Sequence, residues 1–313
     1  MSETIDLTNA KYSLLTILGA TASGKTGVAT HTALALGAEI ISGDSRQVYR
    51  GMDLGTGKDI GEYIIDGVAI PYHLIDIEDA GKEYNVYRFQ TDFNEAYSNI
   101  INREKFPILC GGSGMYLESV LNNYNLIQVP KNINLRENFK TKSLSELTEI
   151  LHSCKKVHNN SDLETKRRAI RAIEIEEYMR QNPNLDENPQ QIKSLVVGIL
   201  FDRDTRRNRI SIRLKQRLDE GMIDEVRQLL DSGIKPEQLI YYGLEYKYLT
   251  QHVIGELSFD EMYSQLEIAI HQFAKRQMTW FRRMEKHGTH IHWLDGEMPM
   301  IEKIAQIKQW LMG

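Results

Sequence analysis

Residues 19–26, Gly19-Ala20-Thr21-Ala22-Ser23-Gly24-Lys25-Thr26, match the pattern G-x-x-x-x-G-K-[ST] of a phosphate-binding loop. The apolar stretch Tyr12–Leu18 before them predicts a buried strand, and Gly27–Leu36 after them predict a helix that stops at Gly37. Strand, loop and helix in this order place backbone N–H groups around phosphate oxygens, and Lys25 adds a point charge. The stretch therefore predicts a di- or triphosphate site, which we favour over a chance match in a glycine-rich turn.

The composition is that of an ordinary globular chain, with 41% hydrophobic and 26% charged residues. Its 313 residues predict two domains, or one domain with an insertion. We expect no membrane helix and no signal peptide, because no apolar run approaches the required length of about 18 residues. Two cysteines, Cys110 and Cys154, make neither a disulfide framework nor a zinc site, which favours the cytoplasm.

The net charge of −5 argues weakly against nucleic acid, but the cations are unevenly distributed. The run at 166–171 is more typical of a solvated helix face than of an RNA contact. Asp202–Arg217 carries seven Lys or Arg against two Asp, which favours a phosphate or nucleic-acid face. In His271–Lys286, cations alternate with Trp280 and Phe281, a mixture that suits unstacked bases, although such an aromatic pair is more often core.

Five apolar strands separated by helical patterns predict an α/β fold, a doubly wound parallel sheet of the phosphate-loop type with helices on both faces. They are Tyr12–Leu18, Ala38–Ser42, Pro107–Cys110, Leu195–Phe201 and His290–Leu294. We expect a catalytic core from 12–116 and 194–295, a helical insertion at 117–193, and a C-terminal helix or tail at 296–313. The glycine-rich segment Gly51–Gly61 predicts a mobile loop.

Three polar features follow predicted strands. Asp44 follows the second strand, where functional groups of open α/β sheets lie, but it is equally suited to capping a following helix. Gly111–Gly114, with Ser113, predicts either a site rim or a tight strand–helix connection. Pro71–Ile75 followed by Asp76 is a weak match to a Walker B strand.

Taken together, these segments resemble the tRNA dimethylallyltransferases, also called tRNA isopentenyltransferases. The resemblance runs in order from about residue 12 to residue 295, and its motifs are far more specific than a phosphate loop alone. They are GATASGKT at 19–26, DSRQVYRGMDLGT at 44–56, YHLIDI at 72–77, GGSGMYL at 111–117, RRAIRAIEI at 167–175, the arginine-rich helix around Arg209 and Arg213, and AKRQMTWFRR at 274–283.

The resemblance implies transfer of a dimethylallyl group from its diphosphate to N6 of the adenosine beside the tRNA anticodon. It implies that residues 19–26 hold the diphosphate, with Lys25 and Arg213 as cations and Thr26 as a Mg²⁺ ligand, and that Asp44 is the general base. The implied contacts to the tRNA anticodon stem-loop are Asp44, Ser45, Arg46, Gln47, Ser113, Arg167, Arg168, Arg171, Lys275, Arg276, Gln277, Arg282 and Arg283. We expect a monomer.

Two segments depart from the family pattern. The family usually has G-T-A-K-P where this chain has Gly55-Thr56-Gly57-Lys58-Asp59, and often I-G-Y-K or I-G-Y-R near residues 242–247. Ser113 in GGSGMYL keeps a hydroxyl, and the lack of a Cys/His zinc-finger spacing indicates a bacterial-type enzyme. Competing hypotheses are an adenylate isopentenyltransferase acting on AMP, ADP or ATP, a small-molecule kinase, and a GTPase, which would lack its N-K-x-D signature.

Overall fold

A computed structural model describes residues 11–154, 160–182 and 192–313. The chain divides into two compact units, one formed by residues 1–124 with 191–313 and the other by residues 125–190. The insertion expected at 117–193 therefore begins later, because residues 117–124 pack within the first unit. None of the helices within the described ranges is long and apolar enough to cross a membrane.

The first unit contains a six-stranded, all-parallel sheet with the order β5-β2-β6-β1-β7-β8 and a separate β3–β4 hairpin. The doubly wound α/β fold expected from the sequence is confirmed. The strands are β1 (Leu14–Gly19), β2 (Glu39–Ser42), β3 (Ile64–Ile65), β4 (Val68–Ala69), β5 (Tyr72–His73), β6 (Pro107–Gly111), β7 (Ser194–Leu200) and β8 (Ile291–Asp295).

Helices connect the strands and form the second unit, and two 3₁₀ segments lie at Ile60–Tyr63 and Asn160–Leu163. The helices are α1 (Lys25–Leu36), α2 (Val86–Asn102), α3 (Gly114–Leu121), α4 (Ile133–Phe139), α5 (Leu144–Cys154), α6 (Lys166–Gln181), α7 (Arg203–Asp219), α8 (Met222–Asp231), α9 (Pro236–Tyr241), α10 (Leu244–Val253), α11 (Phe259–Lys286) and α12 (Met300–Met312). The C-terminal helix expected after residue 296 is thus α12, which packs against α1.

The apolar run of β1 is continuous because both faces of the sheet are covered. Leu14 and Leu18 point into a core shared with α2, α7 and α11, whereas Leu15 and Ile17 point into a core shared with α1 and α12. All four side chains are fully buried. Alternate side chains of β1 thus enter the cores on opposite faces of the sheet. Because β1 pairs with β6 on one side and with β7 on the other, its carboxyl end lies between theirs.

Local signals in the sequence set the C-terminus of α1 and the N-terminus of α11. Gly37 takes a left-handed conformation (φ 63°) and ends α1, as the sequence predicts. Ser258 and Glu261 form a capping box at the start of α11, which then runs unbroken for 28 residues through the Phe259–Lys286 segment. The cation-rich stretch His271–Lys286 therefore forms the C-terminal part of this one helix.

The weak Walker B match at Pro71–Ile75 is wrong. Only Tyr72 and His73 form a strand, at the edge of the sheet next to β2 and separated from β1 by β2 and β6. Asp76 takes a left-handed conformation (φ 54°) and forms an ion pair with Lys58 outside the phosphate-loop region. Its carboxylate therefore stabilises a loop rather than a bound phosphate.

The second unit has its own small core, built from Leu147 and Leu151 of α5 and Ala169 and Ile173 of α6. Glu174 lies beside this core, fully buried, and accepts hydrogen bonds from Arg136 and Arg171. Burial alone would raise the pKa of Glu174, but these arginines lower it to about 2. The Pro/Asn-rich end of the predicted insertion, residues 183–191, lies outside the described residues.

Candidate active site

A cavity of about 570 Å³ opens beside the carboxyl ends of β1, β2 and β6. These ends meet because β1 and β2 both pair with β6, and Gly111 lies so close to Gly43 that a Cβ there would be 2.4 Å from the Gly43 carbonyl oxygen. We call this space the phosphate-loop cavity. Its lining includes Thr21–Thr26, Asp44–Gln47, Gly55–Gly57, Asp59, Glu62, Ser113, Arg209, Arg213, Arg217, Tyr242–Glu245, Phe273 and Gln277.

The phosphate loop is tightly wound. Ala22 and Gly24 have positive φ angles of 60° and 71°, and a Cβ on Gly19 would lie 2.4 Å from the Ser23 hydroxyl oxygen. That hydroxyl is buried and, among the residues that the structure describes, has no hydrogen-bond partner. A buried, unsatisfied donor in a nest of backbone N–H groups indicates a site built for an anion.

Gln277 of α11 connects the phosphate loop to the end of β6. The Thr21 N–H donates a 2.8 Å hydrogen bond to its side-chain oxygen, and its side-chain nitrogen donates 2.9 Å to the Gly112 carbonyl. The side chain is only 7% exposed. Gln277, which the resemblance assigns to tRNA binding, thus lies in the cavity wall, and the Thr21 N–H already has a protein partner.

Arg209 of α7 also supports the phosphate loop. Its Nε donates a 3.0 Å hydrogen bond to the Ala22 carbonyl, and its guanidinium lies over the Phe201 ring at 4.4 Å. The sequence indicated an arginine-rich helix around Arg209 but gave no sign of this contact, since Ala22 is 187 residues away in the chain.

Asp44 follows β2 directly and lines the phosphate-loop cavity. Its carboxylate accepts a 3.0 Å hydrogen bond from the Arg46 N–H, and its own N–H donates to the Ser42 hydroxyl at 3.3 Å. The alternative role as a helix cap is wrong, because in the described residues the first helical segment after Asp44 begins at Ile60. The turn holds the carboxylate at the mouth of β2, in the same cavity as Lys25.

Ser113 and Gln47 fix this turn from two sides. The Ser45 N–H donates to the Ser113 hydroxyl at 3.0 Å. Gln47 is 9% exposed, accepts from the Ser42 hydroxyl at 2.8 Å and donates to the Gly57 carbonyl at 3.0 Å. Of the expected RNA contacts here, Ser45, Arg46 and Ser113 are partly exposed, whereas Gln47 is buried and bonds within the protein.

The segment 51–61, predicted as a mobile loop, is fixed by a buried lysine. Lys58 is fully buried and donates hydrogen bonds of 2.6 Å to the Tyr49 carbonyl and to Asp53, and a further one to Asp76. A buried ammonium requires such compensation, because desolvation of an unpaired charge is costly. The backbone of this loop is therefore held against the sheet.

The two segments that depart from the family pattern contact each other. Glu225 of α8 accepts hydrogen bonds from the N–H groups of Asp53, Leu54 and Gly55 and from the Tyr246 hydroxyl. Gly55 packs so closely that a Cβ would lie 2.6 Å from the Tyr246 ring. Both segments thus contribute to one wall of the cavity.

Charged groups of both signs line this wall. Arg213 and Arg217 of α7 form ion pairs with Asp59, the latter at 3.2 Å. Burial alone would raise the pKa of Asp59, but both arginines lower it. Desolvation raises the pKa of Glu62 and of Glu245, two carboxyl groups that sequence reasoning missed.

Comparison with known proteins gives a consistent result. A family model described as IPP transferase matches residues 47–284. The chain belongs to the IPP transferase family. It is similar to tRNA dimethylallyltransferase 2 of Phocaeicola vulgatus, at 61% identity over 95% of this chain and 97% of that protein. It also resembles tRNA dimethylallyltransferase 1 of Parabacteroides distasonis, at 60% identity over 94% and 96% of the two chains.

Among solved structures, the full-length tRNA isopentenylpyrophosphate transferase of Bacillus halodurans has a TM-score of 0.70 with this chain at 32% identity. The match covers 97% of this chain and 96% of that one. The fold is thus shared over nearly the whole length of both chains.

In this IPP transferase, the cations at the end of α11 divide into two groups. Arg283 and the Trp280 indole both donate to Glu118, at 2.7 and 2.8 Å, and the Arg283 guanidinium lies 4.1 Å from the Trp280 ring centre. Phe281 is fully buried and belongs to the core. Lys275, Arg276 and Arg282 are exposed to solvent. Only this second group has the exposure typical of RNA contacts.

Two of the three expected cations of the insertion have partners within their own unit. Arg171 pairs with Glu174 and donates to the Val129 carbonyl at 2.8 Å, so it holds α6 to the segment before α4. Arg168 pairs with Glu164 four residues earlier. Arg167 is exposed and also interacts within the protein.

Cys110 lies at the end of β6, below the phosphate loop. It is buried, and its thiol is 3.7 Å from the Lys25 carbonyl oxygen. Burial raises the pKa of this thiol to about 12, so it stays protonated at neutral pH. Cys154, at the end of α5, is exposed.

Proposed function

We propose that this chain transfers a dimethylallyl group from dimethylallyl diphosphate to N6 of the adenosine adjacent to the tRNA anticodon, and releases diphosphate. The proposal rests on one observation: Asp44 and Lys25 line the same cavity. A carboxylate able to accept a proton and an anion site able to hold a leaving group are the two components that this reaction needs.

The leaving group requires the larger stabilisation. The allylic carbon–oxygen bond breaks and its electron pair goes to the diphosphate, so negative charge grows on that oxygen. We propose that Lys25, Arg213 and the backbone N–H groups of Ala22 and residues 24–26 surround this position and need little reorganisation during the reaction. The N–H groups of Thr21 and Ser23 are excluded from this set because they donate to Gln277 and to the Ala20 carbonyl.

Asp44 acts on the acceptor. The N6 amine forms a bond to the allylic carbon and loses a proton, which the Asp44 carboxylate accepts. An adenine stacked in the anticodon loop does not reach a buried carbon, so the base is displaced into the cavity. The hydrogen bond from the Arg46 N–H orients the carboxylate for this role.

The donor set of the cavity fits a Mg²⁺ ion that arrives with the diphosphate. The Thr26 hydroxyl lines the cavity and offers an oxygen ligand, which Mg²⁺ prefers, and the Ser23 hydroxyl is buried without a partner among the described residues. In the described ranges, no group of three or more His, Cys, Asp or Glu side chains could hold a metal alone. We propose Thr26 as the protein ligand, with substrate phosphates completing the shell; the bound ion would neutralise charge on the diphosphate.

We propose that Lys275, Arg276 and Arg282 bind the phosphates of the anticodon stem-loop, with Ser45 and Arg46 near the displaced base. Their exposure supports this assignment. We further propose that the insertion, expected at 117–193, contributes to tRNA binding and that a monomer works in the cytoplasm.

One assay tests the function. The protein is incubated with labelled dimethylallyl diphosphate, Mg²⁺ and either unmodified tRNA or AMP. We expect label on tRNA and none on AMP. Label on AMP alone would establish an adenylate isopentenyltransferase, and label on neither acceptor would refute prenyl transfer.

A variant pair makes the assay specific for the proposed site. Lys25→Ala removes a cation from the phosphate loop and is expected to abolish detectable transfer to tRNA. Lys308→Ala changes a lysine of α12, outside the cavity lining, and should leave transfer unchanged. Equal activities for both variants would contradict the location of the site.

A further inference from the structure

Arg213 and Arg217 stand one turn apart on α7, and both line the phosphate-loop cavity. Their side chains are 30% and 11% exposed, so little water screens one guanidinium from the other. Desolvation, and then the charge of Arg213, lower the pKa of Arg217. Two cations held this close in a partly dry wall repel each other unless an anion lies between them.

Asp59 is that anion. Its carboxylate contacts Arg213 and Arg217 together, with one oxygen shared by both guanidinium groups. Asp59 reaches this position through a left-handed backbone (φ 43°) at the start of the 3₁₀ segment Ile60–Tyr63. Aspartate and asparagine tolerate this conformation, whereas proline, with φ fixed near −65°, does not.

Gly57 provides the space for the same arrangement. A Cβ at this position would lie 2.2 Å from a terminal nitrogen of Arg217, and the residue has a positive φ of 67°. Gly57 and Asp59 are the two positions at which 55–59 departs from G-T-A-K-P. An alanine at 57 would displace the Arg217 guanidinium, and a proline at 59 would remove its counter-ion. The two departures therefore serve one contact.

We propose that Asp59 is a positioning residue that keeps Arg213 and Arg217 side by side and directed at the leaving diphosphate. The inference rests on the proposed function, since it assigns both arginines to the diphosphate. Asp59 acts through the arginines and makes no contact with the reacting atoms. The opposite role makes a different prediction. If the Asp59 carboxylate merely competed with the diphosphate for the two arginines, it would weaken the binding of the diphosphate.

Asp59→Asn separates these roles, because asparagine keeps the shape and suits the left-handed backbone but carries no charge. We expect kcat for transfer to tRNA to fall about tenfold, because displaced catalytic groups lose orientation. Binding of inorganic diphosphate with Mg²⁺, measured by calorimetry, should weaken as well. Tighter diphosphate binding or an unchanged kcat would overturn the proposal.

A control variant and a background that lacks both arginines test whether the loss of kcat has a merely structural cause. Asp79→Asn changes a surface aspartate that also pairs with two cations, Arg50 and Lys82, and should leave kcat and diphosphate binding unchanged. In the Arg213→Ala, Arg217→Ala background, Asp59→Asn should cost less than about twofold, since a positioning residue needs the groups it positions. A full tenfold loss in that background would refute action through the arginines.

Two further results keep the test decisive. If Asp59→Asn lowers the melting temperature, Asp59→Gly, which also suits a positive φ, replaces it under the same criteria. If the wild type transfers no prenyl group to tRNA, the proposed function fails, and the diphosphate measurement still decides whether Asp59 positions the arginines. A wild type that transfers the group, together with an Asp59→Asn variant that matches it, refutes the positioning role alone.

Discussion

The cations of α7 and those of the C-terminal half of α11 lie on two helices that pack against each other, yet their surroundings differ. Arg213 and Arg217 on α7 are partly buried and share a carboxylate. Lys275 and Arg282 on α11 face solvent. The two charge runs thus include a fixed pair of cations in a cavity on α7 and an exposed set of cations on α11.

The difference separates two tasks of a cation. A guanidinium held by a buried partner has lost most of its freedom before a ligand arrives, so it suits the stabilisation of charge that develops during a reaction. A solvated cation suits a polyanion whose binding depends on counterion release and tolerates small changes of position. The following variants test whether fixed groups serve the reaction and exposed groups serve tRNA binding.

The largest effect is expected for Asp44→Ala, which should reduce kcat by about a thousandfold because the general base is lost. The affinity for tRNA should stay within about twofold, since the exposed cations that supply most of the electrostatic binding remain. Single-turnover transfer and filter binding measure the two quantities. A loss of tRNA affinity as large as the loss of rate would break the division between chemistry and binding.

Glu174→Ala extends the comparison to the insertion, where fixed cations support structure instead of a ligand. Removing the partner of the half-buried Arg136 and Arg171 should lower the free energy of local unfolding of α4 and α6 by about 3 kcal/mol at pH 7, as amide hydrogen exchange measures it. Glu137→Ala, at an exposed position of the same unit, is the control and should have little effect.

The pH dependence of this effect has a definite sign. The folded-state pKa of Glu174, about 2, lies below its ordinary value of 4.5, so the stabilisation is present above pH 4.5 and is lost as the pH falls toward 2. The difference between wild type and Glu174→Ala should therefore shrink over this range. A difference that stays constant down to pH 2 would show that the ionised carboxylate is not its source.

Gln277→Ala should have an intermediate effect. The variant removes two hydrogen bonds that join the phosphate loop to the end of β6, and kcat should fall by about tenfold as the loop loses orientation. Gln272→Ala, five residues earlier on the exposed side of α11, is the matched control. If both variants weaken tRNA binding equally and leave kcat unchanged, Gln277 is an RNA contact and our assignment to the cavity wall is wrong.

The smallest effects are expected for Lys275→Ala and Arg282→Ala. Each should weaken tRNA binding a few-fold and reduce the slope of log K against log salt concentration by about 1. The value of kcat at saturating tRNA should not change, because neither side chain lines the phosphate-loop cavity. A salt slope equal to that of the wild type would remove these residues from the RNA interface.

Local patterns in the sequence predicted the parts of the fold that depend on near neighbours. The phosphate loop, the stop at Gly37 and the doubly buried strands follow from spacing, glycine conformation and apolar runs over a few residues. Asp44 could be placed at a strand end, but its choice between catalysis and capping depended on whether a helix follows. The structure removes the capping role because no helix begins there in the described chain before Ile60.

Contacts between distant segments could not be predicted in this way. Gln277 meets Thr21 across 256 residues, and nothing in the residues around Gln277 distinguishes an amide that joins two loops from one that faces RNA. The edge position of β5 depends on the order of the whole sheet, so the Walker B match failed. The prediction of a mobile loop at Gly51–Gly61 failed because Lys58 is held by Asp53 and Asp76, and Asp76 lies 18 residues away in the chain.

The contrast between the two thiols has a practical consequence for measurement. The chain has two cysteines, and the burial that raises the pKa of Cys110 to about 12 leaves it with almost no reactive thiolate at neutral pH. Cys154 is exposed on α5. A maleimide fluorophore or spin label added to the unaltered protein should therefore attach to Cys154 alone. It would give a single reporter on the insertion without any substitution in the chain.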